Sequence, residues 1–192
     1  MFEIRFHGRG GQGTVLLAKM IADVVLRSGR GECMAIPEFG VERRGAPVLA
    51  YARVSDKPIH VRTRIYAPDA VAVLDTAFAN NPALTAGLKK GGVIVLNTEE
   101  PPAALAARFP GFATRAVPAK RIALAHQLGS ATSPVVNTAM CGAICAIFDL
   151  ADQAALEAAI REAVPVKHDE NAAAAREAFL LCSRKEKAHA AA

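Results

Sequence analysis

The sequence predicts an α/β fold: a three-layer, Rossmann-like arrangement with a mostly parallel sheet, an inserted β-hairpin and a helical C-terminus. Three observations predict it. Residues 3–7 alternate as a short strand and run into Gly8-Arg9-Gly10-Gly11-Gln12-Gly13, after which residues 14–22 place apolar side chains at helical spacing. Two near-continuous apolar runs, 70–74 and 93–96, have the composition of strands buried on both faces. Beyond Ser133, helical patterns follow one another to the end of the chain.

The 192 residues are 52% hydrophobic and 5% aromatic, with no Trp, so the core is expected to be aliphatic. No repeat or long linker divides the chain, and residues 1–192 are expected to form a single domain. No apolar run reaches the roughly 18 residues of a membrane span. The start lacks a basic flank followed by an apolar stretch, so the expectation is a cytoplasmic protein without a secretion signal.

In order, the first helix should end near Ser28, with Gly29 as its stop. Residues 32–36 read as a second strand. The Pro- and Gly-rich stretch 37–47 should loop back to the sheet edge that carries the glycine turn, because it follows a strand running with the first. Residues 48–54 form a third strand, Ser55–Pro58 a turn, and Ile59-His60-Val61 a returning hairpin partner. Asn81-Pro82 should open a short helix that closes at Lys89–Gly92. A short helix should follow Pro101-Pro102, then a weaker strand at 113–117 and a helix to about Gln127. Ser133-Pro134 reads as the cap and first-turn proline of a helix ending near Phe148. Asp152 caps the next, and His168 to Lys185 is the last.

The glycine turn carries the chemistry. Gly8, Gly10 and Gly13 match G-x-G-x-x-G, the pattern that lets backbone N–H groups approach a phosphate at a helix N-terminus. Gly11 and Gln12 make it barer and more polar than the pattern requires, and Arg9 adds a positive charge. The same glycines would serve a tight βα turn packed against another protein surface, so both readings stand. Glu38 lies where a ribose-binding acid would stand in a dinucleotide site, or is a solvated loop acid. Residues 1–66 hold 11 Lys and Arg against 6 Asp and Glu, whereas 67–192 hold 12 of each. The net charge of +5 therefore belongs to the third of the chain with the turn, which suits an anionic ligand or an acidic partner. Interleaved aromatics are lacking there, so nucleic acid is not expected.

Cys33, Cys141, Cys145 and Cys182 contain no C-x-x-C pair, and no metal site is expected. Cys141 and Cys145 read as small core residues on one helix face. The histidines are isolated from any nucleophile, and no catalytic residue is assigned.

Two motifs together, Gly8–Gly13 and Phe39-Gly40-Val41-Glu42-Arg43-Arg44-Gly45-Ala46-Pro47, resemble the gamma subunit of pyruvate and related 2-oxoacid:ferredoxin oxidoreductases. The likeness extends through Arg53–Ile59, the strand ending at Asp75, and Asn137–Ala143. The resemblance implies part of an enzyme that converts a 2-oxoacid and coenzyme A to an acyl-CoA and carbon dioxide, this chain alone being inactive. It implies thiamine diphosphate, 4Fe-4S clusters and CoA in the complex, on alpha, beta and ferredoxin-like delta subunits. Electrons would pass to ferredoxin or, through a flavin subunit, to NAD. The glycine turn (Gly8, Arg9, Gly10, Gly11, Gln12, Gly13) with Arg43 and Arg44 then becomes the candidate contact for CoA phosphates or for a neighbouring subunit. Guanidinium groups match phosphate oxygens bidentately. A stand-alone Rossmann-type nucleotide-binding enzyme, or a small regulatory module, is the competing reading.

Overall fold

The computed structural model describes residues 1–38 and 45–190, with side chains as far as 184. A six-stranded mixed sheet forms the middle layer. It contains β1 (Phe2–Arg9), β2 (Glu32–Pro37), β3 (Pro47–Ser55), β4 (Ala70–Val73), β5 (Val93–Asn97) and β6 (Ala113–Val117), in spatial order β2-β3-β1-β4-β5-β6. Three ladders, β1–β4, β4–β5 and β5–β6, are parallel; β1–β3 and β2–β3 are antiparallel. The mostly parallel sheet is therefore as expected, but the hairpin is β2–β3.

Ile59-His60-Val61 is not a strand, and the reason is topological. Both edges of β3 are already taken, by β1 and by β2, so a returning segment finds no free backbone to pair with.

Alternation along the strands separates two cores. Ile4 and Phe6 of β1 and Ala70 and Ala72 of β4 face α1 (Thr14–Arg27), while Val71 and Val73 face the other layer with Leu84, Leu105 and Phe109. Beside α1 in the larger layer lie α3 (Ala119–Ala125), α4 (Asn137–Ile147), α5 (Gln153–Ala163) and α6 (His168–Ala190). The smaller layer holds α2 (Pro102–Arg108) and two 3-10 turns, Thr76–Phe78 and Pro82–Leu84, in place of the helix expected after Asn81.

α1 forms where Leu17, Met20, Ile21, Val24 and Val25 make one buried stripe, and it stops at Ser28 before Gly29. Asp152 caps α5 by accepting from Ala155 N–H at 2.8 Å. Ser133-Pro134 does not cap a helix. It is β8, paired with β7 (Gly129–Ser130) in a tight two-stranded ribbon, where Ser130 Oγ accepts from Ser133 N–H. The helix begins three residues later, at Asn137.

Nine residues of α4, Asn137 to Cys145, are buried. Gly142 lies where a Cβ would run into the carbonyl of Ala175, so α4 and α6 pack nearly backbone to backbone. That contact explains the abundance of alanine: Ala172, Ala174, Ala175 and Ala178 of α6 are all buried there. Cys141 and Cys145 are fully enclosed in this core, and the hydrogen bond between them, followed by burial, raises the Cys141 thiol well above its ordinary range. Among the described residues no helix is long and apolar enough to cross a membrane.

Candidate functional site

The glycine turn joins β1 to α1 at the C-terminal edge of the parallel strands, where the chain goes to β3 on one side and β4 on the other. Open α/β sheets bind ligands at such switch points. Gly8 is demanded by the close approach of α1: a Cβ there would collide with Thr14 Oγ1. Gly13 sits at φ +73°, and a Cβ on it would strike Asn137 Nδ2 at the start of α4. Among the described residues no side chain caps α1, so its first-turn N–H groups face the turn without a carboxylate or hydroxyl acceptor from them. Thr14 Oγ1 is itself buried without a hydrogen-bond partner among the described residues.

Asp75, just beyond β4, holds the turn in shape. Its Oδ2 accepts from Gln12 Nε2 at 3.0 Å and lies 2.9 Å from Arg9 Nε. Its Oδ1 accepts from Ala77 N–H at 2.9 Å. Gln12 Oε1 accepts in turn from Arg9 N–H at 2.9 Å. Arg9 also lies over Phe78, 5.6 Å from the ring centre. The positive charge that the sequence places in the turn is therefore met within the chain by Asp75. Sequence reasoning took Asp75 only as the end of a strand; its position at the C-terminal end of a buried parallel strand was the available signal.

The loop after β2 does return to this edge, as expected. Gly10 N–H donates to Ala46 C=O at 2.9 Å, and Gly45 N–H donates to Gly10 C=O at 3.2 Å. Arg43 and Arg44 lie outside the described residues. The acid at the base of the loop is committed elsewhere. Glu38 accepts a hydrogen bond from Tyr51 Oη and lies 3.6 Å from Arg64. Burial, and then Glu38, push the Tyr51 hydroxyl up to about 12. Glu38 is thus part of a packed polar cluster, against the ribose-binding role of the Rossmann-enzyme reading.

Beneath the turn, on the face of β1 away from α1, Arg5 and His7 are buried together. Arg5 Nε donates to His7 Nε2 at 2.9 Å. Burial, and next the Arg5 charge, lower the His7 imidazole to about 4, so it is neutral and acts as an acceptor. Its accepting nitrogen is occupied by Arg5, which gives His7 a structural role.

Among the described residues no three His, Cys, Asp or Glu side chains converge as metal ligands. Cys33, which burial pushes up to about 12, is likewise a poor thiolate donor. The described part of this chain does not fit an iron–sulfur cluster. A separate groove of about 1020 Å³ runs along edge strand β6, with Leu105, Phe112 and Ile147 in its walls; β4 and β5 stand between it and the glycine turn.

Comparison with known proteins fits this geometry. Residues 3–181 match the family model of pyruvate ferredoxin/flavodoxin oxidoreductase. The pyruvate/ketoisovalerate oxidoreductases common subunit gamma of Thermococcus kodakarensis is 41% identical over 187 residues, covering 93% of this chain and 96% of that one. Pyruvate synthase subunit PorC of Methanocaldococcus jannaschii is 42% identical over 180 residues, with the same coverage of 93% and 96%. The crystal structure of a pyruvate oxidoreductase subunit from Thermotoga maritima superposes with a TM-score of 0.77 at 31% identity, over 93% of this chain and 95% of that one.

Proposed function

This chain belongs to the pyruvate ferredoxin/flavodoxin oxidoreductase family as a gamma subunit, and from that premise we propose how it works inside the complex. The complex joins a 2-oxoacid to coenzyme A, releases carbon dioxide and passes two electrons onward, to ferredoxin or through a flavin subunit to NAD. Thiamine diphosphate and the iron–sulfur clusters sit on companion alpha, beta and delta-type subunits in the cytoplasm, and CoA supplies the thiol that accepts the acyl group. The gamma chain contributes binding and shape. Its glycine turn presents the N-terminus of α1 to an anion, with Thr14 Oγ1 as a further polar atom that has no partner among the described residues. Arg43 and Arg44, on the loop bonded to Gly10 through Gly45 and Ala46, add guanidinium donors for CoA phosphates or for a companion's carboxylates.

The observation that carries the reading is the relatedness to gamma subunits along nearly the whole of both chains. Reconstitution tests it. The companion subunits alone, and this chain alone, should each fail to carry out CoA-dependent 2-oxoacid oxidation, and the mixture should succeed. Turnover by this chain alone would refute the subunit role. In the complex, Arg43→Ala and Arg44→Ala separate the two site readings. A raised KM for CoA with normal assembly marks phosphate recognition, and poor co-purification marks a subunit contact. Loss of one charge-assisted contact should be worth about 1.5–3 kcal/mol, roughly 10- to 150-fold.

A further inference from the structure

Residues 57–68 connect β3 to β4 without regular structure, yet they are tightly held from below. Arg53 of β3 is only 3% exposed. Its Nε donates to Glu3 Oε1 at 2.7 Å, and its terminal nitrogens donate to the carbonyls of Val61 at 2.9 Å, Thr63 at 2.7 Å and Arg64 at 3.5 Å. Ile65 supplies a second anchor at 2% exposure. The side chains of Arg53 and Ile65 thus spend their polar and apolar capacity on fixing the loop backbone.

The remaining side chains do the reverse. Val61 is 49% exposed and Tyr66 is 66% exposed, with the Arg64 guanidinium 4.7 Å from the Tyr66 ring centre. Arg62 is exposed and makes no hydrogen bond or ion pair among the described residues. Residues 57–68 hold Lys57, Arg62 and Arg64 and no acid. The neighbouring edge strand continues the surface. Met34 and Ile36 of β2 lie opposite Arg53 and Tyr51 in the ladder, on the same sheet face, and neither joins the two apolar cores.

A chain segment with an ordered backbone loses little entropy when it binds. Tyr and Arg are the residue types that dominate interface energetics, with an apolar anchor inside a polar rim. We propose that this loop is a docking surface for a companion subunit, which presents an apolar pocket to Tyr66 and a carboxylate to Arg62; Arg64 is already met by Glu38, at 3.6 Å. The acid-free, cationic character of residues 57–68 selects the carboxylate. The proposal rests on the gamma-subunit reading and adds a place on the molecule where assembly occurs.

The test uses the full chain co-expressed with its companion subunits. Arg62→Glu removes no hydrogen bond or ion pair among the described residues, so it probes the interface; Tyr66→Ala probes the anchor. Both variants should melt as the wild type does when isolated. Both should bind the companions about tenfold or more weakly, whereas Lys120→Glu on α3 should bind normally. The Arg62→Glu defect should shrink at about 1 M salt, where the Debye length is about 3 Å. Wild-type affinity in both variants would overturn the interface while leaving the subunit reading intact. Failure of the wild-type chain itself to associate would refute the subunit reading, and the interface with it.

Discussion

Arg5 is 7% exposed and makes no ion pair within 4 Å among the described residues. It donates to His7 Nε2, and its terminal nitrogen donates to the carbonyls of Leu84 and Ala86, each at 2.9 Å, and of Ala83 at 3.3 Å. Those carbonyls belong to the irregular segment around the second 3-10 turn, so one buried side chain ties that segment to the sheet. Arg5→Met keeps the apolar stem and removes every donor. A hydrogen bond from a charged group is worth about 1.5–3 kcal/mol. Because three acceptors share one nitrogen and water reaches two of them, about 3 kcal/mol is expected for the set. For a chain of this size that is roughly 6–12 °C in Tm. His7 adds a pH signature. Its imidazole is lowered to about 4 by burial and then by Arg5, whereas in the unfolded chain it takes a proton near 6.5. Between those values the unfolded state binds the proton and the folded state does not, so stability falls as pH drops from about 6.5 towards 4, by about 3 kcal/mol in all. Urea midpoints at pH 7 and pH 4.5 should show this loss in the wild type. His7→Asn can still accept from Arg5 but does not titrate, so its loss should be smaller by most of that amount. The reasoning fails if Arg5→Met melts within about 2 °C of wild type, or if His7→Asn loses as much stability in acid as the wild type does.

Other substitutions test the remaining supports. Gly13→Ala forces a side chain into a left-handed conformation and onto Asn137, and should cost about 2 kcal/mol by urea unfolding. Gly142→Ala drives a methyl group into the carbonyl of Ala175 at the α4–α6 contact. It should cost about 3 kcal/mol, the upper part of the overpacking range, and lower the Tm accordingly. Arg53→Met releases the carbonyls of Val61, Thr63 and Arg64 and leaves Glu3 without its partner. Limited trypsin digestion should then cut after Arg62 or Arg64 several times faster than in wild type, and an unchanged rate would show that the loop is held by something else.

Much of the architecture was legible because it follows local rules. Glycines between a strand and an apolar stripe announced the β1–α1 turn, and the runs at 70–74 and 93–96 announced strands buried on both faces. The misplaced hairpin shows where local rules stop. Residues 59–61 look like a strand, but strand pairing depends on which edges of β3 remain free, and those are taken by residues far away in sequence. Ser133-Pro134 carries a helix-start pattern, yet Gly129 at φ +82° turns the chain so that the serine pairs in a ribbon instead. At the site, the glycines were readable from their spacing. Asp75 was not, because its value comes from Arg9 and Gln12 at the end of the neighbouring strand β1, far from it in sequence. Arg5 was read simply as a strand residue, and Arg53 as a strand residue that opens the Arg53–Ile59 stretch of the family resemblance. A buried arginine that satisfies loop carbonyls leaves no periodic trace, since its acceptors are backbone atoms that any sequence supplies.

The burial of α4 has a consequence for how the protein is made. Ile4 and Phe6 from the start of the chain share one core with Ala172, Ala178 and Cys182 near its end, and α4 fills the space between α1 and α6. During synthesis the first four strands can emerge and pair while α4 still has no cover, so its apolar surface stays open until α6 follows. Contacts between such distant parts of a chain form late, and the wait exposes aggregation-prone surface. This layer of the core therefore closes only once α6 is free of the ribosome. Conditions that slow elongation or release should favour aggregates in which this layer is still unclosed.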